Sequence, residues 1–239
     1  MIGQSGIAVR HVTRADAASV AELAKYGVAT IHEAMGRVGL MAAYMRPIYA
    51  GARACGTAVT IFAHPGDNWM LHVAAELLRP GDVAVLGVSS DNGDGMFGDL
   101  LATSFRAHGA LGLVIDAGCR DVADLRDMGF PVWSKAIHAK GTVKATVGSV
   151  NTPILCAGAL VHPGDVVVAD DDGVVIVPKL LAPRVAAAAS AREKKEAGTR
   201  QRLGVGELGL DVYAMREPLR QAGLKYFEDE AAWRKETQK

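Results

Sequence analysis

The sequence lacks an excess of either charge, a cysteine framework and any long apolar run. Its 26 basic and 26 acidic residues cancel, which removes the electrostatic case for nucleic acid or an anionic membrane as the main partner. Cys55, Cys119 and Cys156 are widely spaced and form no CxxC pair, so we expect no disulfides and a reducing cytoplasm. No apolar run reaches the roughly 20 residues of a membrane span, and the first residues show no secretory signal.

Aromatic residues are also scarce, at 5% of the chain, although half of all residues are hydrophobic. A core must therefore be built from Val, Leu, Ile and Ala. The length of 239 residues fits one domain, with a helical C-terminal extension from about residue 180.

Strand and helix patterns alternate in the first half of the chain. Apolar runs predict buried strands at 58–63, 82–88 and 111–116, and helical spacing predicts helices at 15–35, 68–78, 99–109 and 121–128. This order predicts an α/β fold, in which a β-rich core of mixed or parallel sheet is flanked by helices.

The second half has a different pattern. Short strands are expected between 131 and 178, including one at 142–149, and the acidic run Asp170–Asp172 is interpreted as a hairpin turn. A long Ala-rich helix is predicted at 180–203 and another near 217–236. The first of these becomes polar toward its end, so we expect it to contact a neighbouring subunit.

Two segments carry the residues with the clearest chemistry. Asp99 begins a predicted helix after a glycine-rich loop, and Arg120 with Asp121 follows the strand at 111–116. In open α/β sheets, ligands bind outside the carboxyl ends of strands, where both segments lie. The two segments are therefore expected to meet in one site.

The residue types in these segments suit a small anionic substrate. The backbone N–H groups of Leu100 and Leu101 would be free donors at a helix start, and Arg120 offers a two-pronged donor to a carboxylate. Asp121 and Asp124 are three residues apart, so one helix face could carry both.

Carboxylates without clustered His or Cys favour Mg²⁺ or Mn²⁺ as a cofactor. Cleaving a 4-hydroxy-2-keto acid beside its hydroxyl leaves a pyruvate enolate, which a divalent ion and Arg120 would stabilise. Lyase chemistry on a small keto acid is therefore the leading hypothesis.

Each residue also has a structural interpretation. Asp99 could be a helix-start charge, the pair Asp121 and Asp124 resembles a capping box, and Arg120 alone would be a surface ion pair. Asp116, at a strand end, is interpreted as a loop-ordering residue. The histidines show no ligand spacing, which favours core or surface roles for His64, His72, His138 and His162.

With these residues in view, the chain resembles the class II pyruvate aldolases that act on 4-hydroxy-4-methyl-2-oxoglutarate and 4-carboxy-4-hydroxy-2-oxoadipate. These enzymes share a superfamily with the regulator of ribonuclease E activity A. The likeness includes the stretches 45–60, 64–74, 98–104, 114–151, 164–178 and 206–213. Its signature is Asp, twenty residues, Arg-Asp, two residues and a further acid, met here by Asp99, Arg120, Asp121 and Asp124.

The resemblance implies a role for each of these positions. Asp121 would bind the metal directly and Asp99 through water, while Arg120 contacts the enolate and the amides of Leu100 and Leu101 take the carboxylate. A glutamate from an adjacent subunit would complete the site. It aligns with Glu196, although Glu193, one turn earlier, stays open.

The resemblance further implies oxaloacetate decarboxylation as a side activity, a place in protocatechuate breakdown, and trimers that pair into hexamers. Two other hypotheses remain. A Schiff-base aldolase could use Lys135 or Lys144, and a non-catalytic protein could regulate an RNA-degrading enzyme, for which Asp99 and Asp121 would be unnecessary.

Overall fold

A computed structural model describes residues 4–237 of the chain. The chain divides into two compact units, residues 1–192 and residues 193–239. The single-domain assignment made from the sequence stays a prediction, and the two units are described separately below.

The first unit contains the sheet and most of the helices. Its strands, in chain order, are β1 (Ile7–Ala8), β2 (Arg46–Pro47), β3 (Ala54–Ala63), β4 (Asp82–Val88), β5 (Gly95–Phe97), β6 (Gly112–Cys119), β7 (Val132–Ile137), β8 (Ser149–Val150), β9 (Ile154–Cys156), β10 (Ala159–Val161), β11 (Val166–Asp170) and β12 (Gly173–Val177). Its helices are α1 (Ala17–Leu23), α2 (Val28–Ala34), α3 (Trp69–Leu77), α4 (Asp99–Ala107), α5 (Val122–Asp127) and the beginning of α6 (Ala182–Gly204).

The main sheet is mixed, as predicted. Its strand order is β1-β8-β3-β4-β6-β7-β2, and β11 pairs with both β3 and β12. The central strands β3, β4, β6 and β7 run parallel to one another, whereas β11 and β12 form an antiparallel hairpin. The carboxyl ends of the central strands therefore meet at one edge of the sheet.

The core packs on both faces of this sheet. β4 is buried along nearly its whole length, as expected for a parallel strand covered on both sides. One face packs against α3, α4 and α5, with Phe97, Phe105 and Phe130 among the few aromatic residues there. The remaining buried side chains are mostly aliphatic, in keeping with the composition.

The helix predicted at 15–35 is two helices, α1 and α2. The first helix ends at Leu23, and Gly27, whose backbone is extended, precedes the second. The backbone N–H of Val28 at the start of α2 donates to Asp170 Oδ2 at 2.8 Å. Asp170 lies 142 residues further along the chain, so the break depends on a tertiary contact that local spacing does not reveal.

The strand predicted at 142–149 is largely wrong, since only Ser149 of that range lies in a strand. Its backbone N–H groups at Ala145 and Thr146 donate to the carboxylate of Asp67 instead of to a neighbouring strand. The hairpin predicted at Asp170–Asp172 is confirmed, because Asp170 pairs with Gly173 across the turn.

The second unit consists of the end of α6, followed by α7 (Gly209–Val212), α8 (Arg216–Gln221) and α9 (Glu230–Thr237). The single helix predicted near 217–236 is therefore wrong, since the chain turns at Gly223, whose φ is 93°. Exposed ion pairs such as Arg202 with Glu207 link neighbouring turns. Among the described residues, no helix is long and apolar enough to cross a membrane.

Candidate active site

The two segments singled out from the sequence lie side by side at the carboxyl edge of the sheet. β4 and β6 are parallel neighbours, and the loop after β4 contributes the short strand β5, which pairs with the end of β6. The backbone N–H of Arg120 donates to the carbonyl of Phe97 at 2.9 Å. This pairing brings the start of α4 next to Arg120 and Asp121.

Asp121 connects the two segments directly. Its Oδ2 atom accepts a hydrogen bond from the backbone N–H of Asp99 at 3.2 Å and lies 3.5 Å from Nε of Arg120. The residue has φ 56° and ψ 40°, a left-handed conformation that is uncommon outside glycine but several-fold enriched in aspartate. Such backbone outliers cluster at functional sites.

Gly98 makes this approach possible. A Cβ atom at this position would overlap Oδ2 of Asp121 and lie 3.1 Å from Cγ of Arg120. The absence of a side chain therefore lets the carboxylate reach the beginning of α4.

The start of α4 offers free backbone donors, as predicted from the sequence. Gly98 precedes the helix and supplies no side-chain cap. Within the described chain, the backbone N–H groups of Leu100 and Leu101 donate no hydrogen bond. These groups and the positive end of the helix dipole favour an anion at this point.

A cavity of about 100 Å³ opens beside these residues. It is lined by Asn68, His72, Met96, Gly98, Asp99, Leu100, Leu101, Arg120 and Lys144. A larger cavity, about 350 Å³, lies against α2 and the start of α6, with Glu33 and Arg184 as its charged residues. We assign the site to the smaller cavity because its wall holds the convergent donors.

Three polar side chains of this wall, those of Asn68, His72 and Lys144, were not among the site residues of the leading hypothesis, and Lys144 was named only for the Schiff-base alternative. Asn68 and His72 lie at and near the start of α3, four residues apart, and Lys144 lies on the segment that follows β7. The four-residue spacing of Asn68 and His72 is a local signal that both face one side of the helix. No local sequence pattern marks Lys144. Its position at the cavity depends on the hydrogen bonds that Asp67 accepts from the adjacent residues Ala145 and Thr146.

Asp67 holds the Lys144 segment in place. This buried carboxylate accepts hydrogen bonds from the backbone N–H groups of Trp69 at 2.9 Å and of Ala145 and Thr146 at 2.7 Å each. Burial alone would raise the pKa of Asp67, but the three backbone donors outweigh it and lower the pKa below its usual value. The carboxylate is therefore charged at neutral pH.

The surroundings of His72 favour its neutral form. Its pKa is lowered by partial burial and, to a smaller extent, by the positive charge of Lys144. The imidazole can then donate or accept a hydrogen bond without adding charge to the cavity wall.

Asp116 has the structural role expected of it. Its carboxylate accepts hydrogen bonds from Tyr44 Oη and from the backbone N–H of Ala157, each at 2.8 Å. Burial and this carboxylate together raise the pKa of Tyr44 well above its usual value. The pair orders the loop before β10.

Of the metal ligands expected in the first unit, Asp99 lines the cavity, whereas Asp121 and Asp124 are not among its lining residues. Asp121 contacts the lining residues Asp99 and Arg120. Asp124 is exposed in the first turn of α5. Asp121 precedes that helix in a left-handed conformation, so the two side chains do not share a helix face, contrary to the prediction. Glu196 lies in the second unit.

No group of three or more His, Cys, Asp or Glu side chains within residues 4–237 is placed to hold a metal. Asp99 and Asp121 supply carboxylate oxygens only, with the Asp121 side chain 32% exposed. Such a set fits Mg²⁺, which keeps several waters and needs one or two carboxylates from a protein chain.

The chain is similar in sequence to a known family and to several of its members. A family model described as RraA-like, Aldolase/RraA, matches residues 28–176. A protein of Halalkalibacterium halodurans, provisionally named 4-hydroxy-4-methyl-2-oxoglutarate aldolase, is 29% identical over 149 residues, which are 62% of this chain and 71% of the relative. A protein of Pseudomonas fluorescens with the same provisional name is 35% identical over 115 residues, 48% of this chain and 71% of its own.

Solved structures share the fold. RraAS2 of Streptomyces coelicolor, described as an unusual member of the RNase ES inhibitor RraA family, has a TM-score of 0.68 and 28% identity, covering 80% of this chain and 99% of its own. An uncharacterised protein of Pseudomonas syringae has a TM-score of 0.74 at 23% identity, covering 83% and 93%. The second likeness concerns the fold alone.

Proposed function

Since the chain belongs to the RraA-like family, we propose that it is a class II pyruvate aldolase of that family. The proposed reactions cleave 4-hydroxy-4-methyl-2-oxoglutarate into two pyruvates and 4-carboxy-4-hydroxy-2-oxoadipate into pyruvate and oxaloacetate. Relatives with aldolase names support the reaction class. The substrates, the metal and a role in protocatechuate breakdown are part of the proposal.

The observation that carries it is the meeting of Arg120, Asp121 and the start of α4 beside one cavity. The substrate would enter with its 2-oxo acid end toward Arg120. The free N–H groups of Leu100 and Leu101 would receive the C1 carboxylate. Both contacts are charge-assisted, and each contributes roughly 1.5–3 kcal/mol net.

Arg120 would also stabilise the negative charge that forms during the reaction. The C4 hydroxyl loses its proton to solvent and becomes a carbonyl as the bond between C3 and C4 breaks. The electron pair of that bond moves into the pyruvyl half, where negative charge develops on the C2 oxygen, and uptake of a proton from solvent at C3 then gives pyruvate. A guanidinium fixed beside that oxygen stabilises the charge more in the transition state than in the bound substrate, which lowers the barrier. Decarboxylation of oxaloacetate leaves the same enolate, so we include it as a side activity.

We propose that Asp121 and Asp99 hold a divalent cation, Mg²⁺ or Mn²⁺, with Asp99 acting through water. When bound, such an ion supplies further positive charge at the keto oxygen. Asp124 and Glu196 stay proposed ligands, and Glu196 would come from a neighbouring copy in a homotrimer or homohexamer.

The direct test is pyruvate release after metal removal. Protein treated with EDTA and desalted should lose aldolase turnover, and added Mg²⁺ or Mn²⁺ should restore it. A coupled lactate dehydrogenase assay measures the product. Full turnover after thorough chelation would contradict a metal-dependent mechanism.

A non-catalytic regulator of RNA degradation is the second candidate, favoured by the likeness to RraAS2. Inhibition of a ribonuclease E-type enzyme without any pyruvate release would support it. A Schiff-base aldolase that uses Lys135 is disfavoured, because Lys135 does not line the cavity; it pairs with Asp91 and lies 5.1 Å from the ring centroid of Tyr44. Borohydride trapping with pyruvate tests the Schiff-base mechanism for both Lys135 and Lys144.

A further inference from the structure

A second cavity lies against α2 and the start of α6, within the first unit. Its volume of about 350 Å³ falls in the usual range for small-molecule sites. Within the described chain, no residue that lines this cavity also lines the candidate active site. A ligand bound here would therefore take no part in the proposed cleavage.

Most of the wall of this cavity is apolar. The apolar side chains come from the end of α2 and the loop after it, and from the beginning of α6: Ala34, Met35, Val38, Leu181, Val185 and Ala188. Those from α6 recur at spacings of four and three residues, so they share one side of the helix. An apolar group placed against this wall gains free energy by leaving water.

The wall is formed by packed helices and not by a loose loop. Val185 belongs to the same buried cluster as Ile31 of α2, and Met35 packs against that cluster. The cavity is therefore present before a ligand binds, which lowers the ordering cost of binding.

The charged groups beside the cavity are mostly positive. The carboxylate of Glu33 lies 2.9 Å from Nε of Arg37 and 3.6 Å from Nη1 of Arg192. The hydrogen bond from Arg37 lowers the pKa of Glu33 below its usual value, so this carboxylate is charged at neutral pH and already shared by two guanidinium groups.

Arg184 is the cation that has no such partner. It lines the cavity, is exposed, and forms no ion pair or side-chain hydrogen bond within the described chain. Three guanidinium groups thus accompany one carboxylate around this cavity, an excess of positive charge that attracts an anion. A guanidinium offers two parallel donors to a carboxylate.

We propose that this cavity binds a carboxylate that carries an apolar body. The carboxylate lies at Arg184, and the apolar body lies against the side of α6 that carries Val185 and Ala188. A small inorganic anion would leave the apolar wall in contact with water, and an uncharged apolar molecule would leave Arg184 without a partner. Only a ligand with both parts uses the whole cavity.

The test uses three probes on the full-length chain. These are 3-phenylpropanoate, its uncharged amide 3-phenylpropanamide, and propanoate, which lacks the ring. Methyl NMR signals of Met35 and Val185 report binding at this cavity and not elsewhere. The Kd of 3-phenylpropanoate should be about threefold to tenfold lower than that of the amide, as one exposed ion pair provides. It should be at least about tenfold lower than that of propanoate, because the ring is buried.

Two substitutions separate the charge from the apolar wall. Arg184→Met should bind 3-phenylpropanoate and the amide with similar Kd, and Arg184→Lys should keep the preference for the acid. Ala188→Phe fills the cavity from a half-buried position and should weaken binding of both phenyl probes at least about tenfold. Arg126→Met is the matched control, since it removes an exposed arginine from α5, where it pairs with Asp127, and it should keep the preference.

The result does not depend on pyruvate release, so it is separable from the aldolase proposal. Unchanged signals of Met35 and Val185 with millimolar 3-phenylpropanoate would overturn the inference, including the case in which another copy of the chain fills the cavity. Equal Kd values for the acid and the amide, or a preference that Arg184→Met retains, would also overturn it. Shifts confined to Leu100 and Leu101 would mean that the probe binds only at the candidate active site, contrary to the inference.

Discussion

Asp121 adopts a backbone conformation that aspartate and asparagine tolerate better than most other residues. Its neighbour Gly98 leaves room for the carboxylate. Sequence spacing was enough to choose Asp99, Arg120 and Asp121, because strand ends in a parallel sheet meet at one edge. It was not enough to place Lys144 beside these residues, because its approach to the cavity depends on contacts between segments far apart in the chain.

The conformation of Asp121 makes Asp121→Asn an informative substitution. Asparagine fits the left-handed conformation and has the same size, so we expect the melting temperature to change little. The negative charge is lost, however, and the catalytic efficiency for pyruvate release should fall at least about 100-fold, equivalent to roughly 3 kcal/mol. Steady-state kinetics and a thermal melt measure the two effects.

Asp127→Asn is the control for this substitution. Asp127 ends α5, is exposed and pairs with the adjacent Arg126, so its loss should leave turnover unchanged. Equal activity of both variants would show that Asp121 has no part in the chemistry.

At the scale of secondary-structure elements, the sequence best predicted the strands and turns that depend on the pattern of neighbouring residues. The buried strands β4 and β6 are nearly continuous apolar runs, and the DDDG turn has its own local chemistry. The errors fall where a distant side chain decides the conformation. Asp170 accepts a hydrogen bond from the backbone N–H of Val28 at the start of α2. Asp67 accepts hydrogen bonds from the backbone N–H groups of Ala145 and Thr146, which a strand at 142–149 would have used to pair with a neighbouring strand.

Asp67 therefore supports a prediction about this element. Asp67→Asn removes the negative charge, and its single amide oxygen cannot stand both at Oδ2, which accepts from Ala145 and Thr146, and at Oδ1, which accepts from Trp69. We expect faster amide hydrogen exchange at Ala145 and Thr146 and a stability loss of about 1.5–3 kcal/mol. Hydrogen-exchange NMR and thermal unfolding measure these changes.

The pH dependence follows from the lowered pKa of Asp67, whose usual value is 3.8. The charged carboxylate stabilises the fold fully above that value and loses its effect as pH falls through the lower folded-state pKa. The difference in melting temperature between the unchanged protein and Asp67→Asn should therefore be constant near neutral pH and narrow below about pH 4. A difference that grows on acidification would contradict this role.

At the scale of the whole molecule, the second unit has little core of its own. None of its described residues from 193 to 236 is buried. Its exposed large apolar side chains include Leu203, Val205, Leu208, Tyr213, Met215, Leu224, Tyr226, Phe227 and Trp233. A short segment that buries so little apolar surface has little independent stability, and exposed apolar patches of this kind mark association surfaces. Assembly with further copies of the chain would cover them.

If a neighbouring copy contributes Glu196 to each site, mixed oligomers of two inactive variants should recover activity. Asp121→Asn and Glu196→Gln are each expected to be inactive, but a mixed oligomer contains some sites with both natural side chains. With random mixing, about a quarter of the sites are complete, because each intact residue is present with a probability of about one half. Activity should therefore return after the subunits are exchanged under mild denaturation.

Glu193→Gln decides which glutamate is involved. Glu193 lies one turn before Glu196 on α6 and approaches Arg200 at 4.0 Å, so its replacement should leave activity intact if Glu196 is the ligand. Restored activity for the pair with Glu193→Gln in place of Glu196→Gln, with Glu193→Gln inactive alone, would move the assignment to Glu193. No recovery with either pair, despite mass-spectrometric proof of mixed oligomers, would mean that each chain builds its site alone. The exposed apolar surface of residues 193–236 would then need an explanation unrelated to catalysis.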